Sequence, residues 1–336
     1  MARVLVTGAA GFIGYHATER LLADGHEVVG YDNLNSYYDP ALKQARLARL
    51  NARDGFRFVD GDLADGALLR GSFDEFQPER VLHLAAQAGV RYSIDHPFSY
   101  VSSNLVGFAN LLEACRAVPP AHLVFASSSS VYGANRRLPF ATDDRSDHPV
   151  SLYAATKKSN EAMAHAYAHL FGIPTSGLRF FTVYGPWGRP DMAYFSFTRA
   201  ILAGETIRVF NNGELMRDFT YIDDVVTGIV RLLEHPAAPD PDWNAEDPVG
   251  GSSNAPFRLY NIGNHSPVRL MDFIRTLERI IGREAVLEMA PMAAGDVHAT
   301  FADVEPLARA TGFSPDTPIE TGLRRFVDWY RDYYRA

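Results

Sequence analysis

Tyr153 and Lys157 stand four residues apart in Tyr153-Ala154-Ala155-Thr156-Lys157, a spacing that puts both side chains on one face of a helix. An ammonium group beside a phenol favours the phenolate and lowers its pKa from about 10. A tyrosine tuned in this way exchanges protons with a hydroxyl or carbonyl group near neutral pH. The spacing alone is common on helices. It gains meaning from a serine run, Ser127-Ser128-Ser129-Ser130, which follows the strand expected at His122–Ala126. Such a run lies at the carboxyl edge of a sheet, where ligands bind in open α/β folds. No metal is expected there.

A second group points to a nucleotide cofactor. Thr7-Gly8-Ala9-Ala10-Gly11-Phe12-Ile13-Gly14 directly follows a strand and opens a helix. One glycine lets the chain bend, the next lets it approach a pyrophosphate, and the third permits close helix–strand packing. The helix start then offers free N–H groups and a favourable dipole. The spacing is GxxGxxG rather than GxGxxG, so its weight comes from its place between strand and helix. Asp32 ends the second strand, 18 residues beyond Gly14. A carboxylate there accepts hydrogen bonds from ribose hydroxyls and repels a 2′-phosphate. With Asn33-Leu34-Asn35 following instead of an arginine, NAD is expected over NADP. Asp62, in Gly61-Asp62-Leu63, is placed to reach an adenine amino group, with an exposed turn residue as the alternative. Leu84-Ala85-Ala86 closes the fourth strand with residues small enough for a flat cofactor to lie against the backbone.

These groups need a parallel sheet to hold them. Strands are expected at Arg3–Thr7, Glu27–Tyr31, Arg57–Asp60, Arg80–Leu84 and His122–Ala126, with helices near Phe12–Ala23, Pro40–Ala52, Gly66–Phe76 and Ser99–Arg116 between them. That alternation predicts an α/β fold, a doubly wound parallel sheet with helices on both faces. A helix over Leu152–Leu170 and a strand over Ser176–Phe180 complete it. After residue 181 loops dominate, with short helices near Tyr194–Ala203, Ile222–Glu234, Leu270–Ile281 and Thr321–Tyr334. The chain is thus expected to divide into a cofactor unit, 1–181, and a smaller α/β substrate unit, 182–336, with the helix over 222–234 returning to the first. Ala237–Ser253, rich in Pro, Asp, Gly and Asn, reads as a surface excursion.

Composition narrows the classes of partner. Of 336 residues, 47% are hydrophobic and 21% charged, which suits a folded soluble protein with a sizeable core. A formal net charge of −8 argues against a nucleic-acid partner. No 18-residue apolar run and no signal peptide are found, so no membrane association is expected. The single cysteine, Cys115, precludes an internal disulfide and fits a reducing, cytoplasmic setting. It reads as a small buried filler.

Taken together, the TGAAGFIG loop, Asp32, Gly61-Asp62-Leu63, Leu84-Ala85-Ala86, the serine run with Val131-Tyr132-Gly133, Tyr153 through Lys157 and Arg217-Asp218-Phe219-Thr220-Tyr221-Ile222-Asp223-Asp224-Val225 resemble the extended short-chain dehydrogenase/reductase family, the NAD-dependent epimerases and dehydratases, over essentially the whole chain. Asn33 through Asp39, Ala86 through Ser93 and Thr182 through Ala193 are similar to the members that invert C4 of a UDP-hexuronic acid. The resemblance implies that Tyr153 is the base, that Ser128 hydrogen-bonds the reacting sugar oxygen and that Lys157 holds the nicotinamide ribose. It implies a cofactor set of Gly8, Gly11, Phe12, Ile13, Gly14, Asp32, Asn33, Asp62, Leu63, Leu84, Ala85, Ala86, Asn104 and Phe180, together with Tyr153 and Lys157. Ser129 and Ser130 would line the sugar pocket and Arg217 would grip the phosphates. Homodimerisation, typical of the family, would use the helices near Ser99–Arg116 and Leu152–Leu170.

The implied reaction takes hydride from C4 to NAD and returns it to the other face of the 4-keto sugar. With UDP-glucuronate as substrate that intermediate is a β-keto acid, prone to lose CO₂. Thr182, Ser129, Ser130 and Arg189 are the expected clamp on its carboxylate, with Arg91 adding positive charge. Several other readings remain open. The nearest is a UDP-glucose/UDP-galactose 4-epimerase with the same core residues. A 4,6-dehydratase or a sugar-acid decarboxylase would carry acids in the serine-run region, and this chain has none there. A non-catalytic NAD sensor would not need Ser128, Tyr153 and Lys157. One departure concerns the phosphates: Ala293-Ala294 stand before Gly295-Asp296, where many relatives carry an arginine.

Overall fold

The computed structural model describes residues 1–292 and 299–336, so Ala293, Ala294, Gly295 and Asp296, and with them the question of the missing arginine, lie outside the described residues. The first half forms β1 (Arg3–Thr7), α1 (Phe12–Ala23), β2 (Glu27–Asp32), α2 (Pro40–Asn51), β3 (Phe56–Asp60), α3 (Gly66–Phe76) and β4 (Arg80–His83). Two short helices, α4 (Tyr92–Asp95) and α5 (Pro97–Tyr100), then lead through a π-helical turn at Val101–Val106 into α6 (Gly107–Ala117). β5 (His122–Ser128), α7 (Leu152–Phe171) and β6 (Thr175–Phe180) follow. These strands pair in parallel in the order β6-β5-β4-β1-β2-β3.

Both faces of the sheet are covered, and the strands show it residue by residue. Along β1, Val4 and Val6 enter the core shared with Phe12, Tyr15 and Leu21, while Leu5 enters the opposite core with Leu69, Phe73, Phe108 and Leu111. β5 repeats this, with Val124 on the first side and Leu123 and Phe125 on the second. Alternation at period two with both sets apolar is what a parallel sheet between two helical layers requires.

The structure adds a strand that the sequence reading left in a loop-rich region. β10 (Phe257–Ile262) pairs in parallel with β6, from Phe257 beside Thr175 to Ile262 beside Phe180, and makes the sheet seven-stranded. Its residues read Phe-Arg-Leu-Tyr-Asn-Ile, and only tertiary pairing separates such a mixed run from loop. The rest of the second half comprises β7 (Thr182–Tyr184), α8 (Ala193–Ala203), β8 (Thr206–Phe210), β9 (Met216–Tyr221), α9 (Ile222–Leu233), β11 (Pro267–Arg269), α10 (Leu270–Ile281), β12 (Val286–Ala290), α11 (Glu305–Thr311) and α12 (Ile319–Tyr334). α9 lies against α1 on the main sheet. β11, β9 and β7 form a small sheet, and β12 pairs with β8.

α12 carries an aromatic pile that braces the segment after β7. Trp329 and Tyr333 stand 5.3 and 5.1 Å from the Trp187 ring, and Tyr15 of α1 closes on it from the other side at 5.7 Å. Offset and edge contacts at these distances add to the area the rings bury. The 185–192 segment is thereby fixed from both halves of the chain.

Cys115 is fully buried in α6, and burial pushes its thiol well above the usual range. A chromogenic thiol reagent at pH 8 should therefore leave the native protein unlabelled and label one thiol after denaturation. Rapid labelling of the native protein would contradict this packing.

Candidate functional site

The carboxyl ends of β1, β2, β4 and β5 open into one cleft. α1 begins at Gly11 with no side chain capping it, so its first N–H groups face that cleft unclaimed by a cap. Gly8 has φ +73°, and a Cβ there would sit 2.7 Å from the Ala85 nitrogen. A Cβ on Gly14 would meet the Gly8 carbonyl at 2.0 Å. The loop therefore accepts no side chain at either place, and the backbone itself forms the wall that an anionic group would meet.

Asp32 shapes the next part of the wall. One carboxylate oxygen accepts from the Ala10 amide at 3.1 Å and the other from the Leu34 amide at 2.9 Å. Burial raises its pKa, and Lys43, the two amides and Arg46 oppose that rise. Asp62 accepts from Asn33 Nδ2 at 2.8 Å, so two residues of the expected cofactor set reach each other. Gly11, Phe12, Ile13, Leu63, Leu84, Ala85, Ala86 and Phe180 line the same cleft. These observations fit NAD: a glycine cradle, free helix-start amides and an acidic residue at the end of β2.

Ser128, Tyr153, Lys157 and Arg189 share the cleft with them. α7 starts at Ser151, whose hydroxyl accepts from the Ala154 amide at 3.1 Å, and this cap sets the first turn that carries Tyr153. Ser128 ends β5 and lines the cleft beside Tyr153, where its hydroxyl favours the phenolate. The phenol differs from the expectation at one point. Burial pushes its pKa up, and the opposing pulls come from Ser128 and Arg189 rather than from Lys157. Lys157 donates to the Ala126 carbonyl at 2.8 Å, and burial lowers its own pKa to about 8.

The remaining predicted residues do not form part of this lining. Asn104 points inward from the π-helical turn, where its side chain bonds Gln87 N at 2.8 Å, Gln87 O at 3.1 Å and Thr156 Oγ1 at 3.1 Å. It braces the Leu84–Ala88 wall from behind instead of facing a ligand. This also accounts for the interruption of the helix expected over Ser99–Arg116, since a widened turn admits an inward amide. Ser129 and Ser130 are half-buried in the turn after β5, and Thr182 is half-buried at the start of β7. Arg217, in β9, donates to the Met216 carbonyl. Arg91 is exposed, with its guanidinium 4.7 Å from the centre of the Phe210 ring.

The sequence reading missed two buried charges behind the site. Arg46 of α2 donates to the Ala10 carbonyl at 2.9 Å, to Tyr38 Oη at 2.7 Å and to the Trp187 and Gly188 carbonyls. Glu161 of α7 accepts from Ser127 Oγ at 2.7 Å and from Arg179 Nε and Nη2 at 2.8 and 3.0 Å. A signal for each was available. Arg46 stands midway between Leu42 and Leu50 on the apolar stripe of α2, and Glu161 lies one turn after Lys157 on the buried stripe of α7. A charge on such a stripe needs a designed partner.

Comparison with known proteins agrees with this arrangement. Residues 4–245 match the model of the NAD dependent epimerase/dehydratase family. A Rhizobium meliloti (strain 1021) protein named "Probable UDP-glucuronate 4-epimerase" is 51% identical over 334 residues, covering 99% of this chain and 98% of its own. UDP-glucuronate 4-epimerase 3 of Arabidopsis thaliana is 49% identical over 342 residues, covering 99% of this chain and 77% of its own. Among solved structures, UDP-glucuronic acid 4-epimerase from Bacillus cereus, in complex with UDP-glucuronic acid and NAD, superposes with a TM-score of 0.85. It is 33% identical, over 99% of this chain and 100% of that one.

Glu161 is 3% exposed and Arg179 0%, so neither charge is screened by water. The Glu161→Gln protein should lose about 3–5 kcal/mol of stability in urea unfolding, because Arg179 is left buried without its counter-charge. A loss under about 1 kcal/mol would mean that water reaches the pair.

Proposed function

The chain belongs to the NAD dependent epimerase/dehydratase family, and we infer that within it the protein inverts C4 of a UDP-hexuronic acid, interconverting UDP-glucuronate and UDP-galacturonate with NAD as its cofactor. The observation that carries this reading is one cleft that joins a glycine cradle, Ser128 and Tyr153, and the Arg189 guanidinium. The names of the relatives at about half identity, and the ligands named with the Bacillus cereus structure, support it.

Bound NAD would supply the acceptor and the donor of the C4 hydride. Gly8, Gly11, Asp32 and Asp62 would hold its phosphates and adenosine, and Lys157 its nicotinamide ribose. Tyr153 takes the proton of the 4-hydroxyl and later returns it to the keto oxygen, with Ser128 hydrogen-bonding the same oxygen. Ser128 and Arg189 both favour the phenolate that the first step requires. Arg189, with Thr182, Ser129 and Ser130, would hold the sugar carboxylate so that its bond to C5 stays out of line with the keto π system. That geometry suppresses loss of CO₂. Arg217 would meet the phosphates. Arg91 and Arg208, whose guanidiniums lie 4.7 and 5.3 Å from the Phe210 ring, offer positive charge beside a flat face for the base.

The finer assignments follow from the same reading. Residues 1–181 serve the cofactor and 182–336 the sugar nucleotide, with 222–234 and β10 returned to the main sheet. A homodimer is supported by apolar side chains exposed before and along the π-helical turn: Ile94 at 66%, Phe98 at 82% and Val101 at 37%. A cytoplasmic setting agrees with a single, buried, unpaired cysteine. Among the described residues no helix is long and apolar enough to cross a membrane.

Proton NMR of the holoenzyme with UDP-glucuronate should show UDP-galacturonate growing in, with little UDP-pentose and no accumulation of NADH. Tyr153→Phe should lower kcat by about 10²–10⁴-fold. Interconversion of UDP-glucose and UDP-galactose with UDP-glucuronate untouched would replace the acidic substrate by a neutral one. A dominant UDP-pentose would make the enzyme a decarboxylase. Separately, Phe98→Asp should sediment as a monomer where the parent sediments as a dimer.

A further inference from the structure

Asp191 lies where two segments meet at the cleft. Its carboxylate accepts from Arg189 at both Nε, 3.1 Å, and Nη2, 2.5 Å, which is a two-bond pairing. It also accepts from the Tyr37 hydroxyl at 3.1 Å. Tyr37 belongs to the segment between β2 and α2, whereas Arg189 and Asp191 follow β7, so the contact ties the cofactor side of the cleft to the sugar side. The Arg189 guanidinium in turn lies 5.9 Å from the centre of the Tyr37 ring. Two of the five N–H groups of Arg189 are thus engaged by Asp191, and Nη1 remains as donor for a second carboxylate.

We propose that Asp191 is a positioning and specificity-determining residue, which holds Arg189 in place and offsets its charge, and so sets how strongly that guanidinium acts on Tyr153 and on a substrate carboxylate. The second half of this statement rests on the acidic-sugar reading above. With Asp191 present, a neutral sugar meets an arginine already paired. An acidic sugar must share that arginine with a fixed carboxylate nearby. The arrangement therefore moderates the preference for an acid and keeps the bound product from being held too tightly to leave.

Tyr153 faces charge and polarity from several elements. Ser128 approaches from β5, and the Tyr100 ring stands 6.1 Å away from the end of α5. Lys157 lies one turn along α7, and Arg189 acts from the segment after β7, with Asp191 and Tyr37 behind it. Arg189 favours the phenolate, and a negative charge set against Arg189 weakens that help. Replacing Asp191 by Asn keeps size and one acceptor oxygen but removes the charge and turns the other acceptor into a donor. The sign follows: the phenol becomes easier to ionise, and the acid limb of activity moves to lower pH.

The test is the pH profile of kcat/KM for wild type, Asp191→Asn and Asp191→Glu, with whichever UDP-sugar the holoenzyme turns over. The acid limb should fall by roughly one pH unit in Asp191→Asn and stay in place in Asp191→Glu. Calorimetry in the Tyr153→Phe background should show the ratio of affinities, UDP-glucuronate over UDP-glucose, rising about fivefold on Asp191→Asn. A stationary acid limb overturns the proposal whatever the sugar, and marks Asp191 as a purely structural contact. A shifted limb with an unchanged affinity ratio overturns its specificity half. If wild type turns over only UDP-glucose, the acidic-sugar reading fails, and the pH shift still decides whether Asp191 governs Arg189.

Discussion

The buried pair between Glu161 and Arg179 fixes the distance between the two elements that must cooperate. Glu161 lies two turns after Tyr153 on α7, and Arg179 lies on β6 beside the end of β5. Because Glu161 also accepts from Ser127, helix and strand are joined one residue before Ser128, which lines the cleft beside Tyr153. Arg179 stacks its guanidinium 4.8 Å from the Tyr132 ring, and Tyr132 donates to Asn261 of β10. One desolvated charge pair thus sets the turn after β5 relative to the helix opposite it. Charges in such a place are costly unless every donor and acceptor is matched, so the geometry has little room to relax.

Around that fixed point the cleft is built from two different materials. On the cofactor side the wall is backbone: the Gly8–Gly14 loop, the Leu84–Ala88 segment and the start of α1. Its shape follows from where a Cβ cannot be placed, and Asn104 secures it from behind. On the sugar side the wall is side chain: Ser128, Tyr153 and Arg189. Backbone suits a ligand recognised by its phosphates and flat rings, which vary little. Side chains suit a ligand whose hydroxyls and carboxyl must be told apart.

Much of this was legible in the sequence, for physical reasons that also mark where legibility stops. The first six strands of the sheet were readable because β-branched and apolar residues fill positions on both faces and helices separate them. The glycine loop and the Tyr153–Lys157 pair were readable because spacing alone dictates what they share. β10 was not, since an edge strand that breaks its apolar residues with Arg258 and Asn261 carries no run long enough to stand out. The π-helical turn was hidden because Asn104 looks like any polar residue in a helix until its partners, Gln87 and Thr156, are known. Arg46, Glu161 and Asp191 were missed for a related reason: their roles lie in partners distant in sequence, as with Tyr37 and Asp191, which stand 154 positions apart.

Arg46 has no exposed surface, and every acceptor it bonds is a neutral oxygen: two carbonyls after β7, the Ala10 carbonyl and the Tyr38 hydroxyl. Parting the glycine loop from the 185–192 segment would take from that guanidinium either the Ala10 carbonyl or the two carbonyls after β7, and a buried charge stripped of acceptors is costly. The flank of the cleft formed by the glycine loop is consequently held against the 185–192 segment. The glycine cradle is thereby shaped before any ligand reaches it, and a ligand meets a wall it need not organise.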